Sequence, residues 1–186
     1  MEKGLELRMY GFTPYIISDI QKSIQFGHAV VEYGLENFNT DEYQNWARNH
    51  KTFIILNGGT SNHVDPEYVG TMENIVEELK ANDIKFATFN EPDLNDMLSA
   101  IVFIVDERVF NRKKYLDLGD WIWANKSEYL SDRMITTQRI DKMYRNGYFQ
   151  TDANKEEKEI YNEWVDSIGG EKNVRLRDFL SGLKLA

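Results

Sequence analysis

Along Leu5–Phe12, the apolar residues Leu5, Leu7 and Met9 alternate with Glu6 and Arg8. That period of two predicts a first strand, closed by Pro14. The period then changes. Ser18 suits a helix N-cap, and Ile20, Ile24, Val31 and Leu35 recur at helical spacing. They predict a helix over 19–37 with this stripe packed against a sheet. Asp41–Asn49 reads as a short helix anchored by Trp46. Thr52–Leu56 is a continuous apolar run, as in a strand buried on both faces, and Gly58–Asn62 breaks it. Pro66 opens a second long helix, carried to about Asn82 by Val69, Met72, Ile75, Val76 and Leu79. Ile84–Phe89 and Ala100–Val105 are two further strands. This order predicts an α/β fold, with helices on both faces of a four-stranded mixed sheet.

The second half reads as helical. Tyr115–Leu130 carries Tyr115, Leu118, Ile122 and Tyr129 at mixed helical spacing. In Asn154–Ile168, Ile160, Trp164, Val165 and Ile168 share a face, and Gly169-Gly170 can close the helix. Asn173 caps a last helix ending in Phe179, Leu180 and Leu183. The expected division is an α/β domain over 1–107 and a helical extension over 108–186. The extension is expected to pack on the domain, because Trp121, Ile122, Ile160, Trp164, Phe179 and Leu180 need burial.

Composition narrows the classes. Hydrophobic residues at 41% and aromatics at 13% supply a core and exclude a mostly disordered chain of 186 residues. The absence of cysteine excludes disulfides, thiolate metal ligands and a cysteine nucleophile. It fits a reducing, cytoplasmic setting. The start lacks a signal-peptide core, and the longest apolar run, Ala100–Val105, is far too short to span a membrane. Charge is uneven. Residues 1–110 hold 18 Asp and Glu against 8 Lys and Arg, and residues 111–186 hold 13 against 14. An acidic domain repels phosphate, so a nucleic-acid partner would need local basic patches. Arg112-Lys113-Lys114, Arg133–Arg145 and Lys172–Arg177 are the candidates. Each alone is more often a solvated helix face.

Two segments carry candidate chemistry. On the first helix Gln21, Gln25, His28 and Glu32 form a polar stripe beside the apolar one, as a cleft wall requires. The bland alternative is a helix boundary with a satisfied histidine. The loop Glu91–Ser99 joins two strands, where sites commonly gather. A carboxylate there could activate water, and Ser99 could bind an oxyanion or place that water. The alternative is an acidic turn whose geometry Pro92 and Asp93 set. Other chemistries are weaker. His28, His50 and His63 lack metal-ligand spacing, and no Gly-x-Ser-x-Gly elbow exists. Gly58-Gly59-Thr60 is too short for a Walker-type phosphate loop.

Gln25-Phe-Gly-His28-Ala29 and the loop Glu91-Pro92-Asp93, in this order and setting, resemble the type 2 peptidyl-tRNA hydrolases. The likeness is to the divergent phage-encoded members, over about residues 5–107. The resemblance implies a three-layer α/β/α sandwich and hydrolysis of the ester joining a peptidyl or other acyl group to tRNA, without cofactor or metal. It assigns catalysis to Asp93, with Glu91 the alternative at the acidic position, to Ser99 and to Lys22; the hydrolase reading then puts Gln25, His28 and Glu91 on the substrate side. Lys22 lies about one residue from the family's lysine position, which would turn it roughly 100° away from the polar stripe. Thr13–Ser18 stands where the family has a glycine- and lysine-rich loop. The alternative is a catalytically silent binding module contacting a protein or RNA. The expected partners are thus tRNA or a protein, with a homodimer compatible and no membrane.

Overall fold

Four strands form one sheet in the computed structural model, which describes residues 4–62, 69–126 and 133–186. They are β1 (Leu7–Pro14), β2 (Thr52–Gly59), β3 (Ala87–Glu91) and β4 (Met97–Asp106), in the order β2-β1-β4-β3. β1 pairs parallel to β2, with Met9 opposite Phe53, and antiparallel to β4, with Met9 opposite Ile104. β3 pairs antiparallel to β4, with Ala87 opposite Val102. β1, β2 and β3 therefore run one way and β4 the other. Their carboxyl ends emerge together at one end of the mixed sheet.

Helices cover both faces. α1 (Asp19–Asn37) follows β1, and α2 (Asp41–Asn45) leads into a π-helical turn, Trp46–His50. Phe26, Ala29 and Tyr33 of α1, with Trp46, pack on Leu7, Met9, Ala87, Ala100, Val102 and Ile104. Gly11 makes this approach possible. A Cβ there would meet the Phe26 ring and the Ile101 carbonyl oxygen. On the opposite face Phe12 stacks on Phe103, with ring centroids 6.1 Å apart. There α3 (Thr71–Ala81) buries Met72 and Leu79.

Several expectations change. The strand buried on both faces is β4, where Met97–Val105 is buried throughout. β2 lies at a sheet edge and leaves Phe53 half exposed. The helix expected from Pro66 begins at Thr71, and Pro66 lies outside the described residues. The largest correction concerns α1. Ile20, Ile24, Val31 and Leu35 do not face the sheet; they are 76%, 51%, 60% and 74% exposed. The buried face is the other one, with Gln25, Phe26, Ala29, Tyr33, Gly34 and Asn37.

The chain divides into two compact units, residues 1–107 with 179–186, and residues 108–178. The tail thus belongs to the sheet unit. Phe179 meets Phe12 edge-on at 5.7 Å, and Leu185 bridges Leu56. Asn57 N donates to Lys184 O and Ala186 N to Ile55 O, which blunts the outer edge of β2. At the boundary of the units α4 (Glu107–Phe110) follows β4.

The second unit is built from α5 (Leu118–Asn125), α6 (Arg133–Arg145), α7 (Phe149–Asp152), α8 (Lys155–Ser167) and α9 (Glu171–Phe179). α5 starts three residues later than the expected helix over Tyr115–Leu130, whose residues 127–130 lie outside the described ones. This unit has a core of its own around Ile122, Ile140, Phe149, Ile160, Trp164 and Val174. Arg177 is buried beside it and donates to Asp117 Oδ1 at 2.7 Å and Tyr115 O at 2.8 Å. Burial lowers the pKa of its guanidinium from the ordinary arginine value, against the pull of Asp117.

Candidate functional site

α1 starts where the sequence places its cap. Ser18 Oγ accepts from Gln21 N, and Gln21 Oε1 accepts from Ser18 N at 3.1 Å and Ser18 Oγ at 3.0 Å. This reciprocal capping satisfies the first free amides of the helix. It also fixes Gln21. With its carbonyl oxygen held by Ser18, the amide N–H groups remain as its donors.

Gln21 lines a cavity of about 450 Å³ with Ile16, Ile17, Asp93, Leu94, Asn95 and Met97. The cavity sits between the β1–α1 connection and the β3–β4 loop, at the carboxyl ends of the parallel strands. Sheets of this kind commonly bind ligands there. Its floor is apolar, with Met97 and Ile17 buried, and its polar groups are one carboxylate and two amides. The loop over it is a 3-10 turn, Pro92–Leu94, followed by Asn95 and Asp96 at φ 57° and 53°. Asn and Asp enter this left-handed region more readily than most residues. Asn90 Nδ2 donates to Asp96 O at 2.8 Å and closes the loop.

Behind the cavity a hydrogen-bonded chain holds the loop in place. Gln25, 6% exposed, donates through Nε2 to Glu91 Oε2 at 2.5 Å. Glu91 Oε1 accepts from Asp93 N at 3.4 Å. Ser99 is fully buried, and its single hydroxyl proton lies between Gln25 Oε1 at 3.1 Å and Phe89 O at 3.0 Å. A register shift explains why Ser99 meets α1 at all. Phe89 pairs with Ala100 and Asn90 with Leu98, so Ser99 is the extra residue of a β-bulge. The bulge turns it onto the α1 face, which strict alternation would deny it.

The six residues singled out from sequence therefore separate. Asp93 lines the cavity. Gln25, Glu91 and Ser99 come together behind it, where their bonds to one another occupy them. His28 stacks on Phe89 at 4.5 Å, farther along β3. Lys22 is not among the cavity-lining residues. Its side chain lies mostly covered on the sheet side of α1, and Nζ pairs with Asp19 at 3.1 Å. Gln25, His28, Asp93 and Ser99 do not converge on one pocket. Sequence reasoning passed over Asn95, Ile16, Ile17 and Met97. The left-handed pair Asn95-Asp96 after a proline turn was the available signal for Asn95.

Among the described residues no three of His, Asp and Glu gather closely enough to hold a metal ion. None of the described helices is long and apolar enough to cross a membrane. In the second unit several basic residues proposed for RNA are engaged internally. Arg112 pairs with Asp117, Arg139 with Glu157, Arg145 with Asp141 and Arg177 with Asp117. Comparison of the sequence with protein-family models and with curated proteins gives no match.

Proposed function

We propose that the cavity beside Asp93 binds the acyl end of an acylated tRNA and hydrolyses its ester. The observation that carries this reading is the placement of Asp93, Gln21 and Asn95 around one apolar-floored cavity beyond the carboxyl ends of β1 and β3. The resemblance of the Gln-x-x-His-Ala helix and the Glu-Pro-Asp loop to peptidyl-tRNA hydrolases supplies the substrate class. Ile16, Ile17, Leu94 and Met97 take an apolar side chain of the acyl group. Asp93 accepts a proton from water as the oxygen attacks the ester carbonyl. The amide N–H groups of Gln21 and Asn95 donate to the oxyanion that forms. Collapse breaks the bond between the acyl carbon and the ribose oxygen, and the proton on Asp93 passes to that departing oxygen, which leaves as the ribose hydroxyl.

In this account Ser99 and Gln25 are positioning residues. They act on Asp93 through Glu91, and Lys22 takes no part. The test is release of labelled peptide from peptidyl-tRNA under single-turnover conditions. Release above the uncatalysed rate supports the reading, and its absence at saturating protein removes it.

A second reading, a binding module without catalysis, is favoured by a different observation. Of Asp93, Ser99 and Lys22, only Asp93 lines the cavity. A module of this kind binds an intact acylated tRNA, or an apolar group of a protein, and leaves any ester uncleaved.

A further inference from the structure

The outward face of α1 is apolar along its whole length. At about 100° per residue, Ile20, Ile24, Gly27, Val31 and Leu35, with Phe38 at the C-cap, fall within an arc of roughly 80°. The arc lies opposite the buried Phe26, Ala29 and Tyr33. No charged residue lies within it. Ile20, Ile24, Val31, Leu35 and Phe38 are each at least half exposed.

Gly27 interrupts this face without a local reason. A Cβ at Gly27 would find nothing within 4 Å, whereas at Gly34 it would collide with the Tyr43 hydroxyl. Gly34 is therefore explained within the chain and Gly27 is not. Glycine in a helix interior costs stability relative to alanine, and a close approach from outside is a standard compensation.

We infer that a second copy of this chain covers the stripe, with the two α1 helices antiparallel about a two-fold axis near residue 29. That register is written in the spacing. Ile20 faces Phe38 of the other copy, Ile24 faces Leu35, and Gly27 faces Val31, so the branched side chain nearest the axis meets the gap. The five apolar side chains present on the order of 600 Å² per copy. Two copies would remove about 1,200 Å² from water, within the range of specific interfaces. A chain of net charge −9 can pair here without like charges meeting, because the arc holds none. This assignment does not depend on the proposed activity.

The absence of native cysteine allows a direct test. Sedimentation of the full chain at micromolar concentration should give twice the monomer mass, and Leu35→Glu should give the monomer with an unchanged far-UV spectrum. Ile24→Cys and Leu35→Cys, prepared separately, are then mixed and oxidised. Antiparallel pairing predicts disulfide-linked heterodimers of the two variants and little self-linkage of either. A monomeric wild type overturns the inference. So does a dimer that survives both Leu35→Glu and Ile24→Glu, or a mixture in which each cysteine links only to its own kind.

Discussion

Ser99 shows how much one residue can mislead and explain. Its sequence position, a hydroxyl opening a strand after an acidic loop, suits a catalytic group equally well. The structure buries it completely and gives it Gln25 and Phe89 as partners. What redirects it is one extra residue in β4, and a bulge leaves no trace in hydrophobic periodicity. Gln25 was legible as polar but not as buried, because only its bonds to Glu91 and Ser99 make that burial tolerable. Ser99→Ala should remove the one hydroxyl proton that Gln25 Oε1 and Phe89 O share. The expected loss is about 1–3 kcal/mol, read as a lower urea midpoint at unchanged slope. The fall in turnover should be smaller than that of a residue lining the cavity.

The elements themselves were largely written in the chain. The N-cap at Ser18, the apolar runs and the change from period two to helical spacing gave α1 at its observed bounds and the strands with ends displaced by up to three residues. The facing of α1 was not legible, because both of its faces are apolar. Its aliphatic stripe holds no polar side chain, while the opposite face carries the mostly covered Lys22 and the buried Gln25 among Phe26, Ala29 and Tyr33. Pattern reading prefers the cleaner stripe. The sheet chooses the face whose small residues permit close contact and whose polar residues find partners. The meeting of α1 with β1 at Gly11 gives this a testable form. Gly11→Ala places a methyl against the Phe26 ring and the Ile101 carbonyl. It should destabilise by about 1–3 kcal/mol, lowering Tm by several degrees in a thermal melt.

At the scale of the whole molecule, the buried Tyr33 and Tyr161 and the partly buried Tyr144 should set the alkaline limit of stability. Burial pushes the pKa of Tyr33 well above the ordinary tyrosine value, and it does the same for Tyr144 and Tyr161. Tyr144 also donates to Asp178 at 2.6 Å, which holds its proton further. The unfolded chain releases these protons near the ordinary value of 10.0, while the folded chain keeps them. Above that pH the native state binds more protons than the unfolded one, so stability falls as pH rises. Each phenol contributes up to about 1.4 kcal/mol per pH unit within the window, and nothing below about pH 9. Urea midpoints should be level between neutral pH and about pH 9, then drop. Tyr161→Phe should lessen the drop, and an equal drop would remove Tyr161 from the account.

The central claim is that the carboxylate of Asp93 makes the cavity a hydrolytic site. The most direct measurement compares wild type and Asp93→Asn for single-turnover release of peptide from peptidyl-tRNA, with matching urea midpoints to show that both are folded. The amide keeps the shape of the turn but cannot take a proton from water. The account predicts a rate lower by about 10²–10⁴-fold in Asp93→Asn. Equal rates in the two proteins would contradict it.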